Sequence, residues 1–421
     1  MPMNTILLIR DMSWTISVIL IIYLMYYVFI AFFSLKKLKP IPNCEPRNKF
    51  AIIIAARNEA KVIGNLVNSL KLQNYPAELF DILVIPNNCT DDTEAVALQS
   101  GAKIIECTVP VRSKGQVLAF TFDYISEHFD PYDAFCIIDA DNLVEGDFLR
   151  QMNNALCAGA QVAQGYRDSK NATDSIVSSW HSIYYWTINR LYNQARNALG
   201  LSAIINGTGF MVSSEVLKKL GGWNTVTMTE DIEFTSLCAI NDIKVHWVPK
   251  AIIFDEQPIT FLQSWNQRKR WSTGILQCLY HYTVPLFKAG FRLRNFRCMD
   301  IMLLLWAPIF QTLSLVSFVL ILTLTAFGSR YDLFPQTDVY FRMFVSLDGS
   351  VITAALLSLL VVLLEKKNAR KMLKGIITTW IFVASWIPIN IICLFHRSEK
   401  WHEIEHTRSL DLSDMSQRED K

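Results

Sequence analysis

The chain has 421 residues, of which 51% are hydrophobic and only 19% charged, below the quarter that is usual for soluble domains. Its 40 Lys and Arg against 38 Asp and Glu leave a net charge of +2, which excludes the global basic footprint of a nucleic-acid binder. Nine cysteines occur without a single CxxC pair, so the sequence suggests neither a zinc ribbon nor a disulfide framework, and a reduced, cytosolic setting fits the polar part.

Trp14 to Phe33 is an uncharged apolar run of 20 residues. As a helix it spans about 30 Å, the thickness of the hydrocarbon layer. Lys36, Lys37 and Lys39 follow, which places the next segment in the cytosol and the N-terminus outside. The stretch 36–48, with Pro40, Pro42 and Pro46, reads as a linker.

Residues 49–285 alternate strand-like and helix-like stretches. Phe50 to Ala55 is continuously apolar, as in a strand buried on both faces of a parallel sheet. A helix is expected from Asn58 onward, with Val62, Leu66 and Leu70 spaced by four. Strands follow at Phe80 to Ile85 and Lys103 to Glu106, a helix at Ser113 to His128, and a strand at Ala134 to Ile138 running into Asp139. Such alternation implies a doubly wound α/β sheet whose ligands bind beyond the strand C-termini. Asp91-Asp92 and Asp139-Ala140-Asp141 both lie just past such ends.

Three more apolar runs, 301–327, 349–364 and 375–395, lie towards the other end. Lys288, Arg292, Arg294 and Arg297 precede the first; Lys366, Lys367, Arg370, Lys371 and Lys374 separate the second from the third. Both clusters read as cytosolic, which makes Tyr331 to Ser346 an outer loop. Crossing parity then puts the polar tail 397–421 outside, although Arg397, Lys400 and Arg408 argue for the inside. Charge alone leaves the two open.

Five sets of residues bear on chemistry. Two carboxylates at i and i+2 in a turn, Asp139 and Asp141, can converge on a hard divalent cation whose other ligands are phosphate oxygens; the alternative is a pair of solvated turn acids. Thr229-Glu230-Asp231 opens a helix near Ile232, so its acids are either N-terminal caps or include a base for an acceptor hydroxyl. Gln267-Arg268-Lys269-Arg270-Trp271 follows Phe261, Leu262 and Trp265 in an amphipathic pattern. That suits an anchor at the membrane surface, or a site where Arg270 faces a departing diphosphate and Trp271 offers a stacking face to a sugar. Lys114 is either a phosphate contact or a surface lysine. His402-Glu403-Ile404-Glu405-His406 matches the HExxH zinc pattern, but no later His or Cys supplies a third ligand.

Taken together, the ordered set AARNE (Ala55 to Glu59), NNCTDDT (Asn87 to Thr93), Lys114, DAD, NGTGF (Asn206 to Phe210), TED and QRKRW resembles the family 2 glycosyltransferases. The resemblance is to the processive membrane branch that includes cellulose, hyaluronan and poly-N-acetylglucosamine synthases. It implies a GT-A fold, a divalent cation (Mg2+ or Mn2+) at Asp139 and Asp141, and Asp231 as general base with Glu230 and Arg270 beside it. It further implies donor contacts from Ala56, Arg57, Glu59, Asn87, Lys114 and Asp139, and acceptor contacts from Gln267 and Trp271. The expected partners are a UDP-sugar donor, a growing β-linked polysaccharide or, alternatively, a lipid acceptor, and membrane lipids, for a multi-pass protein of the cell membrane with a cytosolic catalytic domain. One departure is Asn87, where related segments often carry aspartate; an amide can donate as well as accept.

Overall fold

The computed structural model describes residues 3–328, 351–396 and 411. A long helix, α1 (Met3–Phe32), leads into the linker and then the α/β domain. In order, the domain comprises β1 (Phe50–Ala56), α2 (Ile63–Lys71), β2 (Phe80–Pro86), α3 (Thr93–Gln99), β3 (Lys103–Ile104), α4 (Lys114–His128), β4 (Ala134–Ile137), β5 (Leu143–Val144) and α5 (Phe148–Cys157). It continues with β6 (Val162–Ser169), α6 (Ile176–Thr187), a π-helical stretch Ile188–Gln194, α7 (Ala195–Ala198), β7 (Phe210–Ser213), α8 (Ser214–Leu220), α9 (Glu230–Ile240) and β8 (Val245–Asp255). The remaining helices are α10 (Phe261–Leu293), α11 (Phe296–Leu305), α12 (Ala307–Gly328), α13 (Val351–Leu364) and α14 (Leu373–Phe395).

The eight strands form one sheet in the order β3-β2-β1-β4-β7-β6-β8-β5. Its first half is parallel, as the buried apolar runs require. Phe50, Ile52, Ile54 and Ala56 of β1 enter one apolar core and Ala51 and Ile53 the other, which is why the strand is apolar at every position. The second half departs from a purely parallel sheet: β7 runs antiparallel to both β4 and β6, and β5 antiparallel to β8. The expected helix from Asn58 starts later, at Ile63, because Asn58 has φ +56° and its side chain accepts a 2.8 Å bond from Thr90 N–H.

The linker brings a correction. Cys44 and Cys157, 113 residues apart, are disulfide-bonded. The linker runs back along α5: Asn48 Nδ2 donates to Asn153 Oδ1 at 2.7 Å and Cys44 N–H to Asn154 Oδ1 at 2.9 Å. That path sets the two thiols together, and no sequence spacing announces it.

Among the described residues three helices are long and apolar enough to cross a membrane: Met3–Leu35, Ala307–Thr325 and Leu373–Phe395; Val351–Leu364 is shorter. The run expected at 301–327 is broken at Trp306, between α11 and α12. Helix α1 packs along α12, with Ser17 and Ser317 hydroxyls 3.2 Å apart. Helix α14 packs on α6 and α10 of the α/β domain, where Trp180 Nε1 donates to Thr378 Oγ1 at 3.0 Å. The outer loop Tyr331 to Ser346, and the tail with its HExxH match, lie outside the described residues.

Candidate active site

An open cavity of about 800 Å³ lies at the C-terminal ends of β1, β2 and β4. Arg57, Glu59, Asn87, Lys114, Asp139, Asp141, Glu230, Asp231, Gln267, Arg270 and Trp271 all line it. Residues 214 positions apart in the chain, Arg57 and Trp271, thus share one space. Ala56 does not line it, since strand alternation turns its methyl into the core. Its carbonyl instead accepts from Asn87 N–H at 2.9 Å and Asn87 Nδ2 at 3.0 Å. The Asn87 amide is therefore used as a donor, which a carboxylate could not do. Its Oδ1 is left as the acceptor.

Ser113 caps α4, which puts Lys114 at the first helical position. Lys114 Nζ bonds Asp139 Oδ1, donates to Gly207 O at 2.7 Å and lies 3.9 Å from Glu230. Burial lowers the Lys114 pKa, but Asp139 and Glu230 outweigh it and hold the amine above its ordinary value. The first turn of α4 can approach this closely because residue 115 is Gly; a Cβ there would come within 2.5 Å of Thr225 Oγ1.

The DAD turn is held by hydrogen bonds on its far side. Asp139 N–H donates to Thr208 Oγ1 at 2.9 Å, and Asn142 Nδ2 reaches both Asp141 Oδ1 and Asp255 Oδ1 at 3.0 Å. Asp139 keeps about a third of its side chain exposed to the cavity. Among the described residues no group of three or more His, Cys, Asp or Glu side chains converges. Two carboxylates on an open cavity, with no third protein ligand, fit a hard cation that completes its shell with diphosphate oxygens.

Thr229 supplies no side-chain cap to α9, and Asp231 Oδ1 accepts from Ile232 N–H at 2.8 Å. The loop before it is locked by Glu233, which the sequence reading overlooked: its Oε2 accepts from Val226 and Thr227 N–H at 2.9 and 2.7 Å, its Oε1 from Tyr282 OH at 2.6 Å. Burial pushes the Glu230 carboxyl up to about 7, with Lys114 opposing, and burial raises Asp231 as well. Both acids hold their protons to higher pH than ordinary carboxyls. If Asp231 acts only when unprotonated, its raised pKa places the acid limb of kcat/KM above the ordinary carboxyl range of about pH 4. An acid limb at the ordinary carboxyl value of about pH 4 would contradict this.

The basic stretch of α10 does not lie on an outer surface. Gly274 lets the helix touch Thr229, where a Cβ would come within 2.5 Å of the threonine side chain. Arg268 is fully buried against α14, its Nη1 donating to Phe382 O at 3.0 Å and Ser385 Oγ at 2.7 Å. Arg270 faces the cavity and makes no hydrogen bond or ion pair among the described residues. Trp271 stacks near-parallel to Tyr184 (centroids 5.9 Å apart) and Trp386 (6.2 Å), with Tyr185 edge-on at 6.1 Å.

Arg167 of β6 was also invisible in the sequence, because its strand (VAQGYRDS) carries no apolar run. Its Nε donates to Asp255 Oδ2 at 2.9 Å and its Nη1 to Asn206 O at 2.6 Å, and the guanidinium lies 3.9 Å from the Tyr185 ring centroid.

A sheet of this mixed topology, with acids at its strand ends facing a long helix, defines the GT-A class of glycosyltransferase folds. The chain belongs to glycosyltransferase family 2: the family model described as "Glycosyltransferase like family 2" matches residues 46–274, more than half of it. It is similar to the beta-monoglucosyldiacylglycerol synthase of Synechocystis sp., 26% identical over 316 residues that cover 68% of this chain and 64% of the relative. It is also similar to the poly-beta-1,6-N-acetyl-D-glucosamine synthase of Staphylococcus epidermidis, 22% identical over 53% of this chain and 54% of that one. The chain therefore spans less than two thirds of either curated relative. Among solved structures, a mannosyltransferase from Pyrobaculum calidifontis in complex with GDP-Man and Mn2+ superposes with a TM-score of 0.60, 15% identity, over 90% of this chain and 99% of that one.

Proposed function

We propose that this protein is an inverting glycosyltransferase that moves a sugar from a nucleotide-diphosphate donor, a UDP-sugar, to a growing β-linked polysaccharide. The observation that carries the reading is the single cavity joining Lys114, Asp139, Glu230 and Asp231 to Arg270 and Trp271. Arg57, Glu59 and Asn87 line the donor end. There Asn87 Oδ1 is available to a base N–H. Lys114 and Arg270 supply fixed positive charge to the diphosphate as it departs. A divalent cation, Mg2+ or Mn2+, held by Asp139 and Asp141 would supply Lewis-acid charge to the same diphosphate. Asp231 takes the proton of the acceptor hydroxyl, which attacks C1 opposite the phosphate, so an α-linked donor gives a β-linked product. Gln267 and Trp271 hold the acceptor ring.

A second reading, a lipid acceptor, is favoured by one observation. Trp271 stacks on Trp386 of α14, a candidate membrane span, so the acceptor end adjoins an apolar helix. Sizing the product made by membrane vesicles from labelled nucleotide sugars separates the two: a ladder of lengths supports the polymer, and one added sugar supports the lipid. Trp271→Ala is expected to shorten or stop the ladder at matched amounts of inserted enzyme. A normal ladder with less inserted enzyme would make Trp271 an anchor only.

The placement in the membrane is part of the same proposal. The turn between α13 and α14 touches β6, with Lys367 Nζ 2.7 Å from Asp168. That turn therefore lies on the side of the α/β domain, the cytosol by the positive-inside rule.

A further inference from the structure

The turn after α13 reaches the α/β domain at Arg190 of the π-helical stretch, 3.7 Å from Glu365, and at two points on β6. Tyr166 OH donates to Glu365 Oε2 at 2.6 Å, and Lys367 Nζ donates to Asp168 Oδ2 at 2.7 Å. Tyr166 and Asp168 flank Arg167 on β6 and, by strand alternation, point to the opposite face from it. Asp168 is itself fixed, its Oδ1 accepting from Trp186 Nε1 and from Ser169 N–H, each at 2.8 Å. Lys366, between the two contacts, has φ +56°, a left-handed conformation that non-glycine residues adopt at a cost. It ends α13 so that Glu365 and Lys367 both reach β6. Beneath them Val361, Val362, Met372 and Ile376 pack on Ile183 and Trp186.

On the other face, Arg167 grips the carbonyl of Asn206. The next residue, Gly207, has φ +90°, and a Cβ on it would lie 3.6 Å from Asp231 Oδ2. Its carbonyl takes the Lys114 ammonium. The Asn206–Gly207 turn thus lies between the proposed base and the donor-side lysine, and Arg167 ties it to β6 beside Gln164, whose Oε1 accepts from Asn206 N–H at 3.1 Å.

We propose that Glu365 and Lys367 are positioning residues: the turn joining the last two apolar helices clamps β6 on both sides of Arg167, and so holds the Asn206–Gly207 turn beside Asp231. Neither residue lines the cavity. Their action is transmitted through one strand, and the membrane helices become part of the support of the site. The rate prediction rests on the transferase reading; the exchange prediction below does not.

The test uses the full-length protein in lipid nanodiscs. Lys367→Met and, separately, Tyr166→Phe each remove one arm of the clamp, and Lys371→Met removes a charge from the same turn without touching β6. Hydrogen exchange followed by mass spectrometry should show the 205–210 segment exchanging about fivefold faster in the two clamp variants and unchanged in Lys371→Met. With the nucleotide sugar selected from a panel, kcat per folded enzyme should fall about tenfold, donor KM should stay within about twofold, and Lys367→Arg should restore most of the loss. Unchanged exchange at 205–210 in both clamp variants overturns the proposal. So does normal turnover per folded enzyme with only a lowered melting temperature, which would make the contacts merely structural. A wild type that transfers no sugar would refute the transferase reading, while the exchange result would still decide the clamp.

Discussion

Asp231→Asn is expected to lower kcat by about 10² to 10⁴, the usual cost of losing a general base, with donor binding little changed. Asparagine keeps the shape of the side chain and an oxygen for Ile232 N–H, which Asp231 Oδ1 now satisfies, so α9 should still begin at the same place. What the amide cannot do is take a proton. Stability should move the other way. Burial raises the Asp231 pKa in the folded protein, so the folded state holds its proton more tightly than the unfolded chain. Stability from this group is greatest at low pH and falls as pH rises from the ordinary carboxyl range through the raised value. Above the ordinary carboxyl range the buried side chain is a cost that asparagine removes, and the variant should melt no lower than wild type at pH 7.5. Were Asp231 only an acid at a helix N-terminus, the variant would lose a few tenths to about 1 kcal/mol of stability and retain turnover. Single-turnover rates with the preferred donor, beside melting curves, separate the two outcomes.

Asp300→Ala is expected to have the largest effect on stability, about 3–5 kcal/mol, because it leaves a buried charge without its partner. Arg196 and Asp300 are both fully enclosed. The guanidinium binds the carboxylate through two hydrogen bonds, Nε to Oδ2 at 2.8 Å and Nη2 to Oδ1 at 2.9 Å. Tyr26 OH from α1 adds a 2.5 Å bond to Oδ1, and the Tyr192 ring lies 3.2 Å from the guanidinium carbon. This one cluster joins α1, the π-helical stretch, α7 and α11, and so docks the N-terminal helix and the approach to α12 on the domain. The paired variant Arg196→Leu with Asp300→Leu should lose less than Asp300→Ala alone, since no charge is then stranded. Denaturant unfolding in detergent reads all three proteins. Equal losses in the single and paired variants would mean that packing, and not the stranded charge, sets the cost.

The sequence by itself determined those features whose physical cause is local. Continuous apolar runs announce β1 and β2, since a strand covered on both faces has no polar side to show. The run at Trp14 to Phe33 announces α1 because crossing a hydrocarbon layer demands uncharged length. Ser113 and the acids of DAD and TED are visible because caps and strand-end ligands occupy fixed places relative to their elements. Tertiary structure alone decided what depends on which distant residue arrives. The antiparallel turn of β7 follows from the path of the chain after α7, not from any pattern within β7. Cys44 meets Cys157 only because the linker folds back along α5. Arg268 and Arg270 stand two positions apart in one basic cluster, yet α14 buries the first and leaves the second facing the cavity. Arg167 carries no motif, and its use is set by Asp255 and Asn206 on one face of β6 and by the α13–α14 turn beyond the other. A side chain's chemistry is written in its own residue; the partner that gives the chemistry its direction is set by packing across the whole chain.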